Sequence, residues 1–185
     1  MAKVKSKLWP NKPMRIHDIE RFLAGVDPHK WVVQPKYNGH RALPTCDKDG
    51  RVRVLSRHLT PLTLAKDQWE WLAALPLPRP WQLDGELTPS GQMVVWDYSI
   101  MEGISGLTLR YCERLEILRD ALHDEYIREG QSFSVVSFLP ALKYQQILSL
   151  PDPAIEGLVF KNLDATDFWS ITATREVPGM VKFRK

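Results

Sequence analysis

Arg51, Val52, Arg53, Val54 and Leu55 alternate basic and apolar side chains, the period-two pattern of a strand with one face in a core and the other in water. The apolar run Trp31, Val32, Val33 predicts a strand that ends at Lys36, and 41–45 predicts another beyond the Asn38-Gly39 dipeptide. Asn-Gly most readily adopts positive φ, so a hairpin-type turn is expected there. Residues 81–87 and 92–98 form two more candidate strands around a turn at Ser90-Gly91, and 133–138, 155–161 and 180–184 complete the set. Helical spacing governs elsewhere. Leu64, Trp69 and Leu72 mark 63–74; Tyr111, Leu115, Leu118 and Leu122 mark a longer helix expected to end at Gly130. Shorter helices are predicted at 18–23, closed by Ala24-Gly25, and at 141–150. Between them Pro76, Pro78 and Pro80 make a stiff connector in which neither helix nor ladder forms. Strands outnumber helices, and the helices fall between groups of strands. The pattern predicts an α+β domain with largely antiparallel sheets, a single domain over 1–185.

Composition narrows the partners. No apolar run is long enough to cross a bilayer, and Lys3, Lys5 and Lys7 lead into Trp9-Pro10 rather than an apolar segment, so a soluble, cytoplasmic monomer without membrane or signal peptide is expected. Cys46 and Cys112 lie far apart and read as reduced, buried thiols, and the scattered His residues have no metal-ligand spacing. The net charge of +3 does not by itself announce nucleic acid. Its distribution says more: Lys3, Lys5, Lys7, Lys12 and Arg15 crowd one end and Lys182, Arg184 and Lys185 the other. Clustered ends of one sign fit a phosphate-rich partner, and equally fit solubilising termini.

The candidate chemistry centres on Lys36, a lone lysine at a strand end followed by Tyr37-Asn38-Gly39-His40-Arg41. Arg41 and Arg57 supply planar donors for phosphate or ribose. Glu86 and Glu156 each sit beside a Gly on a strand, where a carboxylate can hold Mg²⁺ or accept from sugar hydroxyls. Trp96 offers a flat face for a base, and Lys161, Lys182 and Arg184 add positive charge at strand ends. Taken singly, each also reads as a core Trp, a surface Glu or a solvated Lys.

Their order carries a resemblance. Lys36 to Arg41 resembles motif I, Lys-x-(Asp/Asn)-Gly-x-Arg, of the covalent nucleotidyltransferases, the superfamily of ATP-dependent DNA ligases, RNA ligases and mRNA capping enzymes. Ser56-Arg57, Asp84-Gly85-Glu86, Val95-Trp96-Asp97, Glu156-Gly-Leu-Val-Phe-Lys161 and Lys182-Phe183-Arg184 are similar to the motifs that follow, in the same order. The wording around Leu55-Ser-Arg57 and Leu83 to Leu87 is most similar to the DNA-ligase branch. The resemblance implies two largely antiparallel sheets flanked by helices. It implies that Lys36 attacks the α-phosphorus of ATP, expels pyrophosphate and carries AMP, with Mg²⁺ or Mn²⁺ as cofactor. Neighbouring cations, Lys182, Arg184 and the metal, would favour the neutral, attacking amine. By the same resemblance Glu86 binds ribose and shares a metal role with Glu156, Arg41 and Arg57 contact ribose and phosphate, Trp96 stacks on adenine, and Lys161 holds nucleotide or nucleic-acid phosphate. AMP would then pass to a 5′-phosphate, and a 3′-hydroxyl would seal the strand.

Gln34 stands two residues before the lysine, where DNA-ligase relatives usually carry a Glu that accepts from the adenine amino group; a Gln amide can accept or donate there. Asn38 replaces the commoner Asp. The sequence stops just after the last matched motif, so the OB-fold domain of the relatives is expected to be missing. The reading is an ATP-dependent polynucleotide ligase acting on DNA or RNA strands, nicked duplex or RNA ends. The alternatives are an RNA-specific ligase, a GTP-using guanylyltransferase, or a nucleic-acid-binding module that has lost catalysis.

Overall fold

A computed structural model of the chain describes residues 8–102, 104–122, 133–170 and 174–185. Lys3, Lys5, Lys7 and Gly130, which figure in the sequence reading, lie outside them. The chain enters through β1 (Trp9–Pro10) and β2 (Lys12–Arg15), then turns through α1 (Ile19–Ala24), where the Arg21 amide is capped by the Asp18 carboxylate. Next come β3 (Trp31–Tyr37), β4 (His40–Cys46) and β5 (Val52–Ser56), then α2 (Lys66–Ala73), which begins three residues later than its apolar spacing indicates. After the proline connector follow β6 (Trp81–Leu87), β7 (Met93–Met101), β8 (Ile104–Ser105) and α3 (Tyr111–Ala121). The last part holds β9 (Phe133–Val135), β10 (Leu139–Pro140), α4 (Tyr144–Leu148), β11 (Ile155–Asn162), β12 (Trp169–Ser170) and β13 (Glu176–Arg184).

Two sheets dominate, one ordered β10-β3-β11-β13-β2 and the other β5-β4-β6-β7-β8 with β9 beside β7. All their pairings are antiparallel except β13 with β2 and β7 with β9, which matches the expected α+β class. Strand periodicity sorts the side chains into three cores. Ala42, Val54, Leu83 and Val95 pack outward from the second sheet against Leu72 of α2 and Leu118 of α3. Trp31, Val33, Leu158 and Phe160 pack outward from the first against Ile19 and Leu23 of α1 and Ile147 of α4. Between the sheets lie Val32, Leu43, Leu55, Ile100, Met180 and Tyr111. The inner faces continue past this central core into polar positions, and there they form a cleft.

Several expectations are corrected. β3 and β4 are not a hairpin: they belong to different sheets, and neither Asn38 nor Gly39 has positive φ. The glycine is needed for space instead, since a Cβ at position 39 would meet the Leu87 carbonyl and stand 2.9 Å from Glu86 Cγ. The 141–150 helix divides into a 3₁₀ turn at Ala141–Lys143 and α4. The 133–138 strand stops at Val135, after which Leu139 and Pro140 pair with Val33 and Val32 of β3. The helix from Tyr111 ends at Ala121. Cys46 is buried as expected, but Cys112 is only half-buried.

Candidate active site

Val32, Gln34 and Lys36 share one face of β3, so the alternation that puts Val32 in the inter-sheet core puts Gln34 and Lys36 in the cleft. Opposite them, Arg41 follows the parity of Leu43 on β4. Gln82, Asp84 and Glu86 form a polar row on β6, whose other face carries Trp81 and Leu83. Met180, Lys182 and Arg184 alternate into the cleft from β13. The cleft has a volume of about 530 Å³, within the range of small-molecule sites.

Two β-bulges aim the remaining groups. In the β3–β11 ladder Tyr37 faces Ile155 and Lys36 faces Gly157, so Glu156 is the extra residue. The shift explains why Ile155 and Leu158, an odd number of residues apart, share one core, and it turns Glu156 toward the cleft beside Lys36. Gly157 is required by proximity: a Cβ there would run into the Phe183 carbonyl and lie 2.9 Å from Arg184 Cα. In the β6–β7 ladder Asp84 faces Asp97 and Gly85 faces Val95, which makes Trp96 the extra residue. Its indole N–H donates to Asp84 Oδ2 at 2.9 Å and its ring lines the cleft.

The charges are organised in two groups. Near the mouth, the Lys36 amine is hydrogen-bonded and ion-paired to Glu156, which also accepts from Arg184 Nη2 at 3.3 Å. Partial burial lowers the pKa of Lys182; Glu176 opposes this, while the charges of Lys36 and Arg184 reinforce it. Burial raises Glu86 to about 7, against the pull of Lys36 and Arg41 and with the help of the Asp84 and Glu156 charges. Deeper in, Arg41 donates from Nε and Nη2 to both oxygens of Asp84, at 2.8 and 2.6 Å, and from Nη1 to the Asn11 carbonyl at 2.8 Å. Burial is the largest single influence and opposes its charge, but the charge and hydrogen bond of Asp84, with the charges of Glu86 and Asp97, together hold the guanidinium above the ordinary arginine value. Arg41 therefore spends these donors on Asp84 and the chain entry, and braces the site.

Lys161 also differs from its expected place among phosphate-facing cations. It is buried, with Nζ 3.2 Å from Tyr111 Oη, 5.5 Å from the Trp96 ring centre and 5.8 Å from that of Phe168. Desolvation brings its pKa down to about 7. Gln34, buried as well, donates from Nε2 to the same tyrosine oxygen at 2.7 Å. Arg57 is exposed at the rim, where its Nε donates to His58 Nε2 at 2.9 Å. All ten residues singled out from the sequence thus line one cleft: Gln34, Lys36, Arg41, Arg57, Glu86, Trp96, Glu156, Lys161, Lys182 and Arg184.

Sequence reasoning gave no role to Asp84, which joins Arg41 to Trp96, or to Tyr111, which joins Gln34 to Lys161. The place of Asp84 two residues before Glu86, on the same polar row of β6, was a signal for the first; a tyrosine at a helix start gave none for the second. Among the described residues no three His, Cys, Asp or Glu side chains gather into a metal cage. Glu86 and Glu156 are two carboxylates on one cleft, a donor set suited to Mg²⁺ that also takes phosphate oxygens and water. The Thr174 hydroxyl, buried on the cleft wall, has no hydrogen-bond partner among the described residues.

No family model and no curated protein sequence matches the chain. Solved structures do. The ligase domain of LigD from M. tuberculosis superposes with a TM-score of 0.67 at 21% identity, over 95% of this chain and 59% of that one. The ATP-dependent DNA ligase from bacteriophage T7, in complex with ATP, gives 0.55 at 15% identity over 95% and 68%. An archaeal ATP-dependent RNA ligase gives 0.58 at 16% identity over 96% and 48%. The chain spans 59% of the length of that LigD ligase domain and 60% of a mycobacterial DNA ligase D complexed with ATP and MES. With its two antiparallel-rich sheets closing on a lysine-centred cleft, this chain has the nucleotidyltransferase fold of the ATP-dependent DNA and RNA ligases.

Proposed function

We propose that this chain is the adenylation unit of an ATP-dependent polynucleotide ligase, with Lys36 as its nucleophile. The observation that carries this reading is the convergence on one cleft of a lysine amine, two glutamates, two further cations and an indole, in a fold shared with ligases that bind ATP. The Lys36 nitrogen attacks the α-phosphorus of ATP; the N–P bond forms as the P–O bond to pyrophosphate breaks. Glu156, hydrogen-bonded to the amine, stands ready to take its proton. Lys182 and Arg184 offset the charge gathering on the phosphates, and Trp96 provides the stacking face for the base. Glu86 and Glu156 would hold Mg²⁺, which supplies Lewis-acid neutralisation of phosphate charge when bound. AMP on Lys36 then passes to a 5′-phosphate, the N–P bond breaking as the phosphate oxygen attacks. A 3′-hydroxyl displaces AMP to join the strand.

RNA joining is the second reading, favoured by the likeness to the archaeal RNA ligase. Two experiments test these readings. Incubation with α-labelled ATP or GTP followed by a denaturing gel reports the nucleotide that stays on the protein; label from ATP is expected, and label from GTP alone would make the chain a guanylyltransferase. Matched nicked substrates with DNA or RNA on either side of the break report the strand chemistry. Binding without any label in the first assay would leave a nucleic-acid-binding module.

A further inference from the structure

The Tyr111 hydroxyl stands at the centre of three contacts: Gln34 Nε2 at 2.7 Å, Lys161 Nζ at 3.2 Å and the Trp96 carbonyl at 3.1 Å. A phenol has one proton and two acceptor positions. The Trp96 carbonyl can only accept, so its contact with the phenol takes a proton from the phenol side. The phenol proton is therefore committed to that carbonyl. Lys161 donates to the oxygen whether charged or neutral. The third contact must then come from a donor, the NH₂ group of Gln34. That leaves the Gln34 carbonyl oxygen as the polar group this side chain can offer a ligand, with no hydrogen bond to it among the described residues. Gln34 is buried and lines the cleft, so its amide is held in place by the protein around it.

We propose that Tyr111 is a positioning residue that fixes the Gln34 amide with its oxygen toward the nucleobase, and so sets a preference for a 6-aminopurine over a 6-oxopurine nucleotide. The sequence alone leaves the amide free to accept or donate; helix α3 removes that freedom from outside the matched motifs. An oxygen there pairs with an exocyclic amino group and leaves a 6-oxo group facing another acceptor, the arrangement that discriminates most strongly because a mismatch strands buried polar atoms. This inference rests on the nucleotide-site reading above.

The test is the ratio of protein labelling rates with α-labelled ATP and GTP. In Tyr111→Phe the amide can turn, and the ATP-to-GTP ratio is expected to fall by about tenfold or more. Adding Gln34→Glu to Tyr111→Phe restores the preference, because a carboxylate only accepts. A purely structural role would slow both nucleotides alike and leave the ratio unchanged, so an unchanged ratio in a cooperatively melting Tyr111→Phe protein overturns the assignment. Should that variant fail to fold, 3-fluorotyrosine at position 111, which keeps the ring and weakens the phenol oxygen as an acceptor for the Gln34 amide, decides: a reduced ATP-to-GTP ratio supports the assignment, and an unchanged one overturns it. Wild-type protein that takes up neither label overturns the nucleotide reading and the Tyr111 assignment with it, whereas the other negative results overturn the assignment only.

Discussion

Glu156 reaches Lys36 because it is the one residue of β11 that the β3 ladder skips. A regular strand would alternate Glu156 against Ile155 and Gly157 and bring Ile155 and Gly157 to one face. The bulge frees the glutamate from that alternation and brings its carboxylate to the amine, with Arg184 on the same oxygen. The proposed nucleophile is therefore held by backbone register as much as by charge.

Lys36→Ala is expected to abolish covalent AMP uptake while leaving the melting transition intact. The side chain is partly exposed, and Glu156 keeps its contact with Arg184. Gel-retained label on Lys36→Ala protein would refute the choice of nucleophile.

Asp84→Asn should be strongly destabilising. The Asp84 side chain is 4% exposed and that of Arg41 16%, and removing one charge leaves the other uncompensated at a cost of about 3–5 kcal/mol. Because Asp84 also anchors the Trp96 indole, nucleotide binding should weaken together with stability. Denaturant midpoints measure the first effect and nucleotide titration the second; replacing both partners, as in Arg41→Met with Asp84→Leu, should recover much of the stability but not the binding.

Gly39→Ala tests the crossover between sheets. The added Cβ meets backbone at Leu87 and the Glu86 side chain, so overpacking of about 1–3 kcal/mol is expected, with Glu86 displaced. The expected signature in nucleotide-labelling assays is a raised metal requirement, read by titrating Mg²⁺.

Stability should pass through a trough near neutral pH. Burial raises Glu86 from 4.5 to about 7, so the native state holds the extra proton in that interval and stability falls as pH climbs through it. Burial lowers Lys161 from 10.5 to about 7, so above neutrality the unfolded chain holds the extra proton and stability rises with pH. Urea midpoints at about pH 5, 7 and 9 should show both limbs, with Glu86→Gln flattening the acid one and Lys161→Met the basic one. A metal that needs the Glu86 carboxylate should bind more tightly as pH rises through about 7.

Much of the scaffold could be read locally. Trp81 to Leu87 alternates so cleanly that its strand has the predicted bounds, and with it the polar row that ends in Glu86. The short helix α1 and the apolar stripe of α3 were equally legible, because helix punctuation and amphipathicity depend on near neighbours. Asn38-Gly39 misled for the same reason: its preference is that of an isolated turn, while its use here is set by Leu87 and Glu86, far along the chain.

What the sequence by itself determined was the set of charged and polar groups and the strands that carry them, since residue type and period-two spacing are properties of short stretches. Only the tertiary structure decided how those groups are arranged. Two bulges turned Glu156 and Trp96 toward the cleft, Asp84 engaged Arg41, and Tyr111 closed on Gln34 and Lys161. Register, desolvation and hydrogen-bond direction arise between segments that meet only when the sheets close, so no local pattern could specify them.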